Sequence, residues 1–158
     1  MLSRIVYALT LVSAIALAAD KYDGPVPPQP DIPYLVHADN LIATEVAQAR
    51  EDRKNDSTFI MSGAASPART PLAEPIFILD AQKISPERLE LYRLEVKGGN
   101  REVSLSSGRR RGGNHPLHLT VTPLSGHLYR VEVGEPLENG EYALSPNGEN
   151  RAFCFEVY

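Results

Sequence analysis

The sequence predicts an all-β chain, folded as an antiparallel β-sandwich of immunoglobulin-like architecture. Three observations carry that prediction. From Tyr34 onward the apolar residues come in short runs, mostly four to eight long, divided by turn signals. Several runs alternate apolar with polar residues, the period of a half-buried strand. Two dividers hold an Asn-Gly pair, Asn139-Gly140 and Asn147-Gly148, whose residues tolerate the positive φ of a tight hairpin. Eight or nine strands at regular spacing result, and they occupy residues 34–158.

Two segments precede the sandwich. In "MLSRIVYALTLVSAIALAAD", Arg4 gives a positive start and Ile5 to Leu17 a nearly unbroken apolar stretch. Ala16-Leu17-Ala18 then sets small residues where a signal peptidase reads. The run falls short of the roughly 20 residues of a membrane-spanning helix. The expectation is a secretory signal over 1–18, cleaved after Ala18 or Ala19, with an uncleaved anchor as the alternative. The mature protein is then periplasmic or extracellular. Residues 19–33 carry Pro25, Pro27, Pro28, Pro30 and Pro33 and read as an extended, proline-rich spacer.

Within the sandwich, "YLVHA" (34–38) is apolar and β-prone. "TEVAQAREDRK" (44–54) is rich in helix formers and reads either as a short helix or as a strand leading into a charged turn. "STFIMS" (57–62) is a strand. "GAASPARTPLAEP" (63–75), with three prolines and no periodicity, reads as a long surface loop. "PIFILDA" (75–81) is apolar on both faces, which suits a central strand. Ser85 before Pro86 suits a single helical turn. "LELYRLEVK" (89–97) sets Tyr92, Leu94 and Val96 opposite Arg93, Glu95 and Lys97. "GGN" then turns the chain into "REVSLSS", where Val103 and Leu105 share a face. "LHLTVTPL", "HLYRVEV", "GEYALS" and "RAFCFEVY" complete the set.

"EPIFIL", "LELYRLEVK" and "EPLENGEYALSPNG" followed by "FCFEV" resemble the closing part of short exported bacterial all-β proteins of unknown function. The resemblance covers residues 72–158. It implies export and a β-sandwich, and it carries over no catalytic residue.

Charge narrows the partners. The chain has 16 Lys+Arg against 20 Asp+Glu, and loss of residues 1–18 removes only Arg4, leaving 15 against 20. An acidic chain has no general attraction to nucleic acid or anionic lipid. Tryptophan is absent and aromatics are 7%, too few for a stacking platform. Cys154 is the only cysteine, so no internal disulfide is available. On a strand it faces away from Phe153 and Phe155 as a small half-buried residue. A reactive thiolate and an intermolecular bridge are the sharper readings.

The most conspicuous stretch is "SLSSGRRRGGNHPLHLTV" (104–121). Arg109, Arg110 and Arg111 before two glycines look like an arginine-glycine nucleic-acid element. The run occurs once, without interleaved aromatics, in an acidic chain. It reads instead as a solvated loop that protects strand ends, or as a grip on carboxylate or phosphate through guanidinium forks. Arg69, in the long loop, joins it as a candidate contact residue. His115 and His118 have an H-x-x-H spacing, but Pro116 and the alternation after it argue for a strand, which sends the two rings to opposite faces. His127 or His37 would have to complete a metal site from elsewhere. No G-x-S-x-G elbow, P-loop or dinucleotide fingerprint occurs, and no cofactor is implied. Asn55-Asp56-Ser57 matches a glycosylation acceptor.

The sequence therefore leads to an exported, non-catalytic β-sandwich module that contacts an envelope protein or an acidic surface partner. The loop 63–75 and the arginine loop 108–115 are its expected contact elements. The alternative is a periplasmic small-ligand or metal-handling protein using histidines, and a hydrolase with scattered residues comes third.

Overall fold

A computed structural model describes residues 22–105 and 114–158. The expected signal segment, 1–18, and the three consecutive arginines lie outside the described residues. Among those described, the chain is all-β apart from one 3-10 turn at Pro86–Arg88. That turn starts at Ser85, as the Ser-Pro pair predicts. The serine caps it through its carbonyl, which accepts from the Arg88 N–H at 3.0 Å, and not through its side chain. No helix is long and apolar enough to cross a membrane among the described residues.

The strands are β1 (Tyr34–His37), β2 (Asn40–Ala43), β3 (Glu45–Gln48), β4 (Arg50–Asp52), β5 (Asn55–Ser62), β6 (Arg69–Thr70) and β7 (Ile76–Asp80). They continue as β8 (Leu89–Lys97), β9 (Asn100–Ser104), β10 (Leu119–Pro123), β11 (Leu128–Val133), β12 (Gly140–Pro146) and β13 (Arg151–Val157). Two antiparallel sheets form, in the orders β10-β11-β7-β1-β2 and β3-β13-β12-β8-β9-β5-β4. β6 adds to the second sheet as a short parallel partner of β13. β7 lies at the centre of the first sheet, the position its two apolar faces require, and Phe77, Ile78 and Leu79 are all buried.

The second sheet closes on itself. β3 and β4 are one extended piece of chain interrupted at Ala49. β3 pairs with β13 and β4 pairs with β5, so the two ends of the strand order meet. At the switch the Ala49 N–H donates to the Asn150 carbonyl at 2.7 Å. The stretch 44–54 is thus strand and turn, and the helix alternative does not form. Its helix propensity amounts to tenths of a kcal/mol per residue, and pairing with two neighbours outweighs it.

Alternation along the curled sheet divides its side chains between two cores. Leu91, Tyr142, Leu144, Phe153 and Phe155 point outward and pack on Leu35, Phe77, Leu79 and Val131 of the first sheet. Tyr92, Leu94, Val103, Ala143 and Cys154 point inward with Met61. Cys154 does face away from Phe153 and Phe155, but it is fully buried, because a closed sheet covers both of its faces.

Two local readings change. Asn147-Gly148 closes the β12–β13 hairpin as expected, whereas Asn139-Gly140 leads from β11 in one sheet to β12 in the other. Gly98-Gly99 closes a tight two-residue hairpin that joins β8 to β9, as the GGN turn predicts. Their φ values of 56° and 77° are those of a type I′ turn. Residues 63–75 are a strap pinned to β13. Ser66, Ala68 and Thr70 are buried at alternate positions, and the Glu156 N–H donates to the Ala68 carbonyl at 2.8 Å.

The proline-rich run also joins the fold at its end. The Asp31 carboxylate accepts the N–H groups of Gln82, Lys83 and Ile84 at 2.9, 2.8 and 3.1 Å, closing the loop after β7. Burial alone would raise its pKa; the three donors together outweigh burial and hold it below the ordinary carboxylate value.

Candidate functional site

The interior of the curled sheet is layered by strand register. At one end Glu45 on β3, Arg101 on β9 and Glu141 on β12 point inward. Arg101 is 0% exposed. Its guanidinium donates to both Glu45 oxygens, at 2.6 and 2.8 Å, and to the carbonyls of Ser62 and Gly63, each at 2.9 Å. Glu141 stands 3.6 Å from the same guanidinium and accepts the Ser66 N–H at 3.0 Å. The Arg101 hydrogen bonds hold Glu45 below its ordinary pKa, while burial raises that of Glu141. These groups plug the base of the barrel-like sheet.

Above the plug lie Met61 and Cys154, with the two sulfurs 3.9 Å apart. Desolvation pushes the Cys154 thiol up to about 12. A buried thiol of that kind is no nucleophile at neutral pH.

Toward the other end the inward residues become small. Ala49, Ala143 and Ala152 stand where larger side chains would meet Phe59, Tyr92 and Val103, and a cavity of about 350 Å³ is left. Its wall has a structural cause as well. β8 and β9 pair only over Glu95–Lys97, and nearer the mouth they part. There Leu91 bridges to Leu117 and Leu105 to Asn114, so the returning chain lines the gap. The floor is apolar. Three carboxylates, Glu51, Glu90 and Glu149, stand at the rim, and among the described residues no Lys, Arg or His side chain lines the cavity. The Tyr92 hydroxyl donates to Glu90 Oε2 at 2.8 Å. Burial and that carboxylate together raise the phenol's pKa far above its ordinary value, so it stays protonated as a donor.

The residues singled out from the sequence lie elsewhere. Arg69, on β6, holds Glu156 with two bonds of 2.6 and 3.1 Å and lies 4.3 Å over the Tyr158 ring. Arg109, Arg110 and Arg111 are outside the described residues; their flanking anchors, Leu105 and Asn114, are joined beside the cavity mouth. His115 and His118 are exposed where the chain returns. The His118 ring lies against Gly134, so closely that a methyl group there would stand 2.5 Å from it. His127 is exposed in the β10–β11 turn, at the far end of β10 from His118. The five residues of β10 separate them by roughly 17 Å at ~3.4 Å per residue. Among the described residues no three His, Cys, Asp or Glu side chains are grouped to hold a metal ion.

Sequence reading passed over the cavity, although a signal for it exists. Counting in twos, Glu45, Ala47, Ala49 and Glu51 share a face, as do Glu141, Ala143 and Ser145. Carboxylate, small and small again is the pattern of a strand lining a partly filled interior. No protein-family model, no curated protein and no solved structure matches the chain.

Proposed function

We propose that the protein is an exported, non-catalytic β module that holds a small, largely apolar ligand in the mouth of its barrel-like sheet. The carrying observation is the 350 Å³ cavity, floored by alanine, phenylalanine, tyrosine and valine and bounded by Glu51, Glu90, Ser145, Asn147, Glu149 and Asn150. That size and an apolar floor are features of small-molecule sites. In this reading the immunoglobulin-like sandwich is the pair of sheets sharing the Phe77–Phe155 core, and the curled half adds an interior that a plain sandwich lacks. The N-terminal segment directs the protein to the periplasm or beyond. No histidine is among the described residues that line the cavity.

Filling the cavity tests the proposal. Ala143→Leu should abolish binding of a neutral apolar probe such as decanol while leaving a cooperative thermal transition. Equal binding by the variant would exclude this cavity as the site. The contact reading through Arg109, Arg110 and Arg111 rests on the sequence of their loop. Cross-linking in an envelope fraction, with the triple-alanine variant alongside, tests it separately.

A further inference from the structure

We infer that the ligand of the mouth is an amphiphilic cation: a hydrocarbon body of roughly a dozen non-hydrogen atoms carrying one ammonium group. The inference rests on the ligand-binding reading above and adds the ligand's chemistry. Size follows from the volume, since 350 Å³ holds about twelve groups at the ~30 Å³ a water molecule occupies. The apolar body follows from the floor, where Ala49, Ala143 and Ala152 offer no polar side-chain atom to satisfy.

The charge follows from the rim. Glu51, Glu90 and Glu149 all line the opening, and among the described residues that line it there is no Lys, Arg or His. Arg151, the neighbour on the β13 wall, is tied to Glu149 at 3.0 Å and stacks 5.3 Å over Phe153. Glu90 is the carboxylate placed to receive an ammonium. It is half-buried at the edge of the apolar floor, and the Tyr92 hydroxyl engages only its Oε2. An ammonium set there gains a charge-assisted hydrogen bond in partly desolvated surroundings, where such bonds are strongest. A carboxylate ligand of the same length would meet like charge.

The test uses three matched probes below their micellar concentrations: decylammonium, decanol and decanoate, titrated against the mature protein by calorimetry or NMR. Decylammonium should bind about tenfold more tightly than decanol, with decanoate weakest. Glu90→Gln should bring the decylammonium Kd to that of decanol. Added salt should weaken decylammonium alone, which checks the charge term in the unaltered protein. Equal affinity for all three, or preference for decanoate, would overturn the cation inference and leave the cavity reading standing. Failure of all three to bind would overturn the cavity reading and the inference with it.

Discussion

Replacing Arg101 with methionine tests the plug that closes the base of the interior. The guanidinium is wholly buried, and its loss strands two carboxylates and two carbonyls at once. Breaking a buried ion pair by removing one partner costs about 3–5 kcal/mol, because the other charge stays behind without compensation. Methionine fills much of the volume, so the cavity cost is small, and about 4 kcal/mol is the expected destabilisation. For a domain of this size that corresponds to a fall in Tm of roughly 15 °C. Urea unfolding followed by far-UV circular dichroism measures it, the chain having no tryptophan.

The deficit should depend on pH in a defined direction. Arg101 holds Glu45 low, so its stabilisation is present above the unfolded carboxylate pKa of about 4.3 and fades as pH falls through the lower folded value. Glu141, raised by burial, opposes folding when ionised and is relieved on protonation. Both effects bring variant and wild type together in acid. A loss under about 1 kcal/mol at pH 7, or a deficit that widens in acid, would refute the reasoning.

Asp31→Ala should cost about 1–3 kcal/mol, because three backbone donors lose their acceptor. The wild type's advantage should disappear as pH falls through the depressed Asp31 pKa, as paired urea titrations would show. Phe155→Ala should cost about 3–5 kcal/mol by the same assay, since the ring is fully buried 5.1 Å from Phe77 and 5.6 Å from Tyr142. Cys154 should be silent to a thiol-specific disulfide reagent at pH 8 in the folded protein and react fully in urea. Prompt native reaction would mean the interior opens.

The strands were legible because each is written in its own residues. The alternation of 89–97 and 151–158, the two-faced run at 75–81 and the tolerance of Gly98-Gly99 for positive φ are local facts. Pairing is a different matter. That 45–52 joins β13 first and β5 afterwards depends on segments about 100 residues and a few residues away, and no local pattern declares it. The same holds for Asn139-Gly140, where turn chemistry is present but the next strand belongs to the other sheet. Arg101 shows how the site was missed. It shares a face with Val103 and Leu105, and a charge in phase with apolar residues reads as the ragged end of a strand until a partner is known. Here the partner is Glu45, also in phase with its alanines, and the two meet only because the sheet curls. The crowding of Arg109, Arg110 and Arg111 is obvious in sequence, while the arginine that organises the interior stands alone.

Whether the mouth takes a ligand is read most directly by mapping decanol onto the protein through methyl and amide chemical shifts. Saturable shifts are expected at Ala49, Tyr92, Val103 and Ala143, fading toward Arg101 and absent from the first sheet. Shifts scattered over the surface, or none up to the solubility of the probe, would contradict binding in the mouth.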